Sequence, residues 1–116
     1  MKIVLPGNPK STNGIYKTTC RNGYATLYMT NEGKALKEAY QWEAKTRWKR
    51  PLFDGEIEIR VRLYFKTNRK HDIDNYNKLW MDALNGIVYK DDNQIKKLTI
   101  EKFKDKENPR IEISLG

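Results

Sequence analysis

Between Glu56 and Thr67 the chain alternates without a break. Ile57, Ile59, Val61, Leu63 and Phe65 are apolar, and Glu56, Glu58, Arg60, Arg62, Tyr64 and Lys66 fall between them. Successive side chains of a strand point to opposite faces, so a period of two predicts a half-buried strand over 56–67. Upstream the period changes. Leu36, Tyr40, Ala44 and Trp48 recur at every fourth residue and share one face of a helix predicted over 31–48. Thr30 is placed to cap it and Glu32 suits the positive end of its dipole. The basic run Lys45, Arg47, Lys49 and Arg50 suits the other end, and Pro51 stops the helix.

A second helix is predicted over 74–85, with Asp74 as N-cap and Gly86 just beyond its end. Leu79 and Ala83, with Tyr76 and Trp80 beside them, give it an apolar side. Shorter strands are predicted over 2–5, 24–29, 95–103 and 110–115. Residues 10–23, rich in Ser, Thr, Asn and Gly, read as a loop, and 53–55 and 105–109 as turns. Together these elements predict an α+β fold: a small mixed or mainly antiparallel sheet carrying two helices.

At 116 residues the chain supports one domain over 1–116 with a single modest core. Association into a homodimer is a natural way to cover what so thin a core leaves exposed. No segment has the apolar length of a membrane span. Cys20 is the only cysteine, which rules out an intrachain disulfide and suits a reducing compartment; it reads as a small buried or idle thiol. The start of the chain, MKIVLPGNPK, lacks the apolar stretch of a signal peptide, so a cytoplasmic location is expected.

Charge changes the picture more than size does. Lys and Arg number 23 against 15 Asp and Glu, a net charge of +8 that predicts an anionic partner, with nucleic acid ahead of a membrane surface. Within this basic chain the acids are clustered. Asp72 and Asp74 lie two residues apart after the alternating strand, and Asp91-Asp92 follows the second predicted helix. If the extended conformation persists, the D-x-D spacing points both carboxylates the same way. A helix-and-return path then brings Asp91-Asp92 back beside them. Carboxylate oxygens are what a hard divalent cation such as Mg²⁺ takes, with phosphate as a further ligand.

Each acid also has a plainer reading, Asp74 as a helix cap and Asp91-Asp92 as an ordinary turn. Lys78, one helical turn from Asp74, can pair with Asp74 or Asp82, or can face charge developing on a phosphate. His71, the single histidine, sits beside Asp72, where it can contact phosphate or act as a base, although a lone histidine at a strand end is more often a bystander. Lys66, Arg69 and Lys70 form a cationic approach to the acids, and Lys10, Lys17 and Arg21 add basic charge in the N-terminal loop. Gly14-Ile15-Tyr16 matches half of a GIY-YIG nuclease signature, but the YIG half is absent.

His71-Asp72-Ile73-Asp74-Asn75, Lys78, Asp82-Ala83-Leu84, Gly86 and Asp91-Asp92-Asn93-Gln94-Ile95 together resemble the RusA family of Holliday junction resolvases. Pro9-Lys10-Ser11-Thr12-Asn13 and Thr30-Asn31-Glu32-Gly33-Lys34 extend the resemblance over nearly the whole chain. It implies a small dimeric endonuclease, found in bacteria and often on phages or prophages, that nicks symmetrically related strands of four-way DNA junctions during recombination and repair. It implies Mg²⁺ as cofactor, with Mn²⁺ able to substitute. Carried onto this chain, the catalytic and metal-binding carboxylates are Asp72, Asp74 and Asp92, and the essential lysine is Lys78. Where the family carries arginine before the first aspartate, this chain has His71. Two rival expectations remain: a basic nucleic-acid-binding module without chemistry, and a metal nuclease acting on other branched DNA or RNA.

Overall fold

The computed structural model describes residues 1–115, with Arg21 described by its backbone alone. Its strands are β1 (Lys2–Pro6), β2 (Tyr16–Arg21), β3 (Tyr24–Met29), β4 (Ile57–Phe65), β5 (Ile95–Lys104) and β6 (Arg110–Leu115). The α-helices are α1 (Thr12–Ile15), α2 (Asn31–Arg47) and α3 (Lys78–Leu84), with 3-10 turns at Ile73–Tyr76 and Asp92–Gln94. The fold is α+β, as the periodicities predict.

Four strands form one mixed sheet in the order β1-β6-β4-β5. β6 runs antiparallel to both β1 and β4, and β5 runs parallel to β4. The alternation in β4 is realised in full, since Ile57, Ile59, Val61, Leu63 and Phe65 are all buried. They meet Ile111, Ile113 and Leu115 from β6, Ile3 and Leu5 from β1, and the helices on the same face. Tyr40, Ala44 and Trp48 turn from α2 into this core, with Leu36 half-buried at its margin. The other face of the sheet is polar. There Glu112 is buried between Lys2 (2.9 Å) and Arg110 (2.7 Å), and the Arg110 guanidinium lies 3.8 Å from the centre of the Tyr64 ring.

Thr30 caps α2 as expected, its Oγ1 accepting the Gly33 N–H at 3.1 Å. Gly33 itself is buried in the first turn, and a Cβ there would collide with the side chains of Ile15 and Met29. Only glycine lets the helix close on those two residues.

Two expectations are corrected. Residues 10–23 are not simply a loop. They contain α1 and β2, and β2 pairs with β3 in a separate two-stranded ribbon. Asn22 (φ 53°) and Gly23 (φ 79°) turn it, both in the left-handed region that a tight hairpin turn requires. The second helix does not begin at Asp74. The 3-10 turn at Ile73–Tyr76 intervenes, and α3 starts at Lys78.

Candidate active site

Because β4 and β5 are parallel, the chain must travel back along the sheet between Phe65 and Ile95. Both acidic motifs lie on this crossover. Its first stretch is fastened by His71. The imidazole stacks on Phe65 (ring centres 3.8 Å apart, 7° between planes) and its Nδ1 lies 3.0 Å from the Tyr76 hydroxyl. Lys102 Nζ donates to the His71 carbonyl at 2.9 Å. This packing fixes where Asp72 emerges, while Nε2 is buried with no hydrogen-bond partner among the described residues.

Asp72 is extended (φ −84°, ψ 109°), but the chain then coils, with Asn75 N–H donating to the Asp72 carbonyl at 3.0 Å. The extended path on which the D-x-D spacing would align two carboxylates therefore ends at Asp72. Asp72 and Asp74 are both exposed, and Asp74 caps nothing. Asn77 takes the position before α3, but its side chain does other work: it donates to the Ile73 carbonyl (2.8 Å) and accepts the indole N–H of buried Trp80 (3.1 Å). Thr12 Oγ1 donates to the Asn75 carbonyl at 2.7 Å, binding α1 to the same turn.

A second group forms around Asp82. Its Oδ2 accepts the Tyr16 hydroxyl at 2.8 Å and lies 3.4 Å from Lys78 Nζ. The ammonium also sits 5.2 Å from the centre of the Tyr16 ring. Lys78 therefore pairs with Asp82, and the two plainer partners weighed for it are separated by the structure. Burial and then the Asp82 carboxylate push the Tyr16 hydroxyl well above its ordinary range, so it stays a neutral donor.

Asp92 joins this neighbourhood. Its carboxyl is raised by burial, then by a hydrogen bond and the charge of Asp91, then by Asp82, with Lys78 opposing. Asp72 acts elsewhere, adding to the upward push that burial gives the Tyr76 hydroxyl. The loop bearing Asp91 and Asp92 is held by Gln94. Its Oε1 accepts from the N–H groups of Lys90 (2.9 Å) and Asp91 (3.1 Å), and its Nε2 donates to the carbonyls of Phe53 (2.9 Å) and Gly55 (2.8 Å). Asp91 Oδ1 accepts the Asn93 N–H at 3.0 Å. A cavity of about 750 Å³ opens beside this loop, lined by residues 51–55 with Lys90, Asp91, Asn93 and Gln94 but not by Asp92.

Asp92, half-buried and crowded by the neighbouring Asp91, is a carboxylate whose charge a hard cation would relieve. Even so, among the described residues no three Asp, Glu, His or Cys side chains are gathered closely enough to hold an ion. Asp72, Asp74 and Asp92 do not form a ready-made cage.

The cations singled out in the sequence are dispersed. Lys10 is exposed and paired with Glu32 at 3.0 Å. Lys17 is exposed on the β2–β3 ribbon, and the side chain of Arg21 lies outside the described residues. Lys66 is exposed at the end of β4. Arg69 and Lys70 line a shallow cavity of about 270 Å³ together with His71, Lys102 and Lys104. Tyr16, Asn77 and Gln94 were missed as positioning residues. Gln94 stands in the acidic motif itself, and Asn77 lies three residues before a tryptophan that needs an acceptor. For Tyr16 the signal was the Asn22-Gly23 turn, which makes it the start of a strand.

The chain is similar to an uncharacterized protein of Bacillus subtilis (strain 168), YqaN, with 26% identity over 136 aligned positions that take in 99% of this chain and 94% of that protein. The family profile described as endodeoxyribonuclease RusA matches residues 6–116. That span includes the anchored crossover, the Tyr16–Asp82–Lys78 group and the Gln94-locked acid pair, and this chain belongs to the RusA endodeoxyribonuclease family.

Proposed function

We propose that the chain is a divalent-cation-dependent, structure-specific DNA endonuclease that resolves four-way junctions by paired nicks in recombination and repair. The observation that carries this reading is the convergence of Lys78, Asp82 and the Asp91-Asp92 pair within a +8 chain of a nuclease family. Asp72, Asp74 and Asp92 are the proposed metal carboxylates, with Mg²⁺ the proposed ion and Mn²⁺ a substitute. When bound, such an ion neutralises charge at the phosphate. Lys78 holds a second positive charge there, suited to the charge that develops on phosphate oxygens during cleavage. Tyr16 donates to the same Asp82 oxygen that lies 3.4 Å from Lys78 Nζ, so the carboxylate is fixed by the hydroxyl and holds the ammonium loosely.

Lys10, Lys17, Arg21, Lys66, Arg69 and Lys70 are the proposed contacts to the DNA backbone. His71, stacked on Phe65, contributes by fixing the loop that presents Asp72. Two copies of the chain, one for each strand, are the proposed acting unit.

The test is a cleavage assay on a labelled four-way junction and a matched linear duplex, with Mg²⁺ or with EDTA, beside Asp74→Asn. The expected result is Mg²⁺-dependent paired nicking of the junction, lost in the variant while junction binding persists. Cleavage retained by Asp74→Asn removes the assigned site. Binding without cleavage under any condition reduces the acidic motifs to structure.

A further inference from the structure

The β2–β3 ribbon is unsupported by the core. A two-stranded ribbon is marginal in water unless something packs on it. Yet every described side chain from Lys17 to Tyr28 is exposed, including Tyr24 (76%), Leu27 (57%) and Tyr28 (48%). The register sorts them onto two faces. Lys17 opposes Tyr28, Thr19 opposes Thr26, and position 21 opposes Tyr24 on one face; Thr18 opposes Leu27 and Cys20 opposes Ala25 on the other. Among the described side chains, the first face interleaves Tyr24 and Tyr28 with Thr19, Thr26 and Lys17. From Tyr16 to Met29 there are two cations and no carboxylate.

The mounting is as informative as the faces. Tyr16, the first residue of β2, donates to Asp82 and lies beside Lys78. Thr30 N–H donates to the Ile15 carbonyl at 2.8 Å, and α2 closes on Ile15 and Met29 at Gly33. The ribbon is therefore fixed at its root to the acidic site and free along the rest of its length. At about 3.4 Å per residue, Tyr24 at the tip stands roughly 17 Å from Tyr16, a distance of about five nucleotides along a duplex strand.

We infer that the ribbon is an arm that lies in a groove of the duplex flanking the cleaved phosphate, a space wide enough for a two-stranded ribbon. Tyr28 near the root and Tyr24 at the tip rest against sugars and base edges, and Lys17 meets phosphate. This rests on the nuclease reading and adds to it the residues that measure out the arm of the substrate.

The test uses the full chain on a long-armed four-way junction in EDTA, where binding is read without chemistry. Wild type, Tyr24→Ala, Tyr28→Ala and, from the opposite face, Leu27→Ala are compared by anisotropy, hydroxyl-radical footprinting and light scattering. Each tyrosine variant is expected to weaken binding roughly tenfold, as truncation of an anchoring aromatic does. Wild type protects sugars out to about five nucleotides from the nick, the reach of the ribbon. Tyr24→Ala loses the outer protection and keeps the inner, Leu27→Ala behaves as wild type, and the mass of the free protein is unchanged. Wild-type affinity and footprint in Tyr24→Ala overturn the arm while leaving the nuclease reading intact. A change of mass in the tyrosine variants also overturns it, assigning that face to contact between copies of the chain. A wild-type chain that neither binds the junction in EDTA nor nicks it in Mg²⁺ overturns both.

Discussion

Leu63 in β4 and Leu27 in β3 each stand within a strand, yet the first is completely buried and the second is 57% exposed. The difference is the second layer. β4 has helices on its apolar face and strands on both edges, whereas among the described residues β2 and β3 pair only with each other. Stability therefore resides in the four-stranded sheet and its helices. The ribbon, with little apolar area to bury, is free to be shaped by contact with something outside the chain.

Truncation of a leucine should separate the two regions most. Leu63→Ala is expected to destabilise by about 2–5 kcal/mol, the cost of an unfilled core cavity, whereas Leu27→Ala should stay within about 0.5 kcal/mol of wild type. Denaturant titration of both variants measures the difference, and equal losses would place the ribbon inside the cooperative core. A smaller effect is expected at the weld between the two regions. Gly33→Ala gains helix propensity but forces Ile15 and Met29 apart, for a net loss of about 1 kcal/mol. Amide exchange should show faster opening of the ribbon than of β4 in that variant. Uniform change across both would show that Gly33 matters only to α2.

The smallest effect comes from charge. Burial pulls the Glu112 carboxyl upward, but the bonds from Lys2 and Arg110 outweigh it and hold the group below the usual range. A lowered folded value gives stability above the ordinary carboxylate pKa, lost as pH falls below about 4 toward the folded value. Glu112→Gln should flatten this acid limb by a few tenths to about 1 kcal/mol, discounted for the half-exposed Lys2 partner. Stability measured from pH 7 to 2 checks it, and an unchanged limb would leave the pair without weight. The ribbon contains no carboxylate, so it adds no such limb.

Where the sequence carried a period it was readable. The β4 alternation and the face of α2 were legible because burial on one side leaves a regular trace. β2 left none, because none of its described side chains beyond Tyr16 is covered, and only the Asn22-Gly23 turn marked it. At the site, Lys78 and the two acidic motifs were visible as residue types. Their grouping was not, because it depends on a 3-10 turn that delays α3 and on Tyr16 arriving from a strand far away in sequence. Propensity near Asp74 favoured a cap, but Asn77, bound to Ile73 and Trp80, settled where the helix begins.

The outer edge of the sheet gives part of the positive charge a different meaning. β5 pairs with β4 on one side only, and Lys96, Lys97, Lys102 and Lys104 are spaced along it. A long open strand edge is a template on which other chains can stack into aggregates, and lysine is a common guard against that. Lysines that make this chain basic thus also stand where charge discourages backbone stacking between copies.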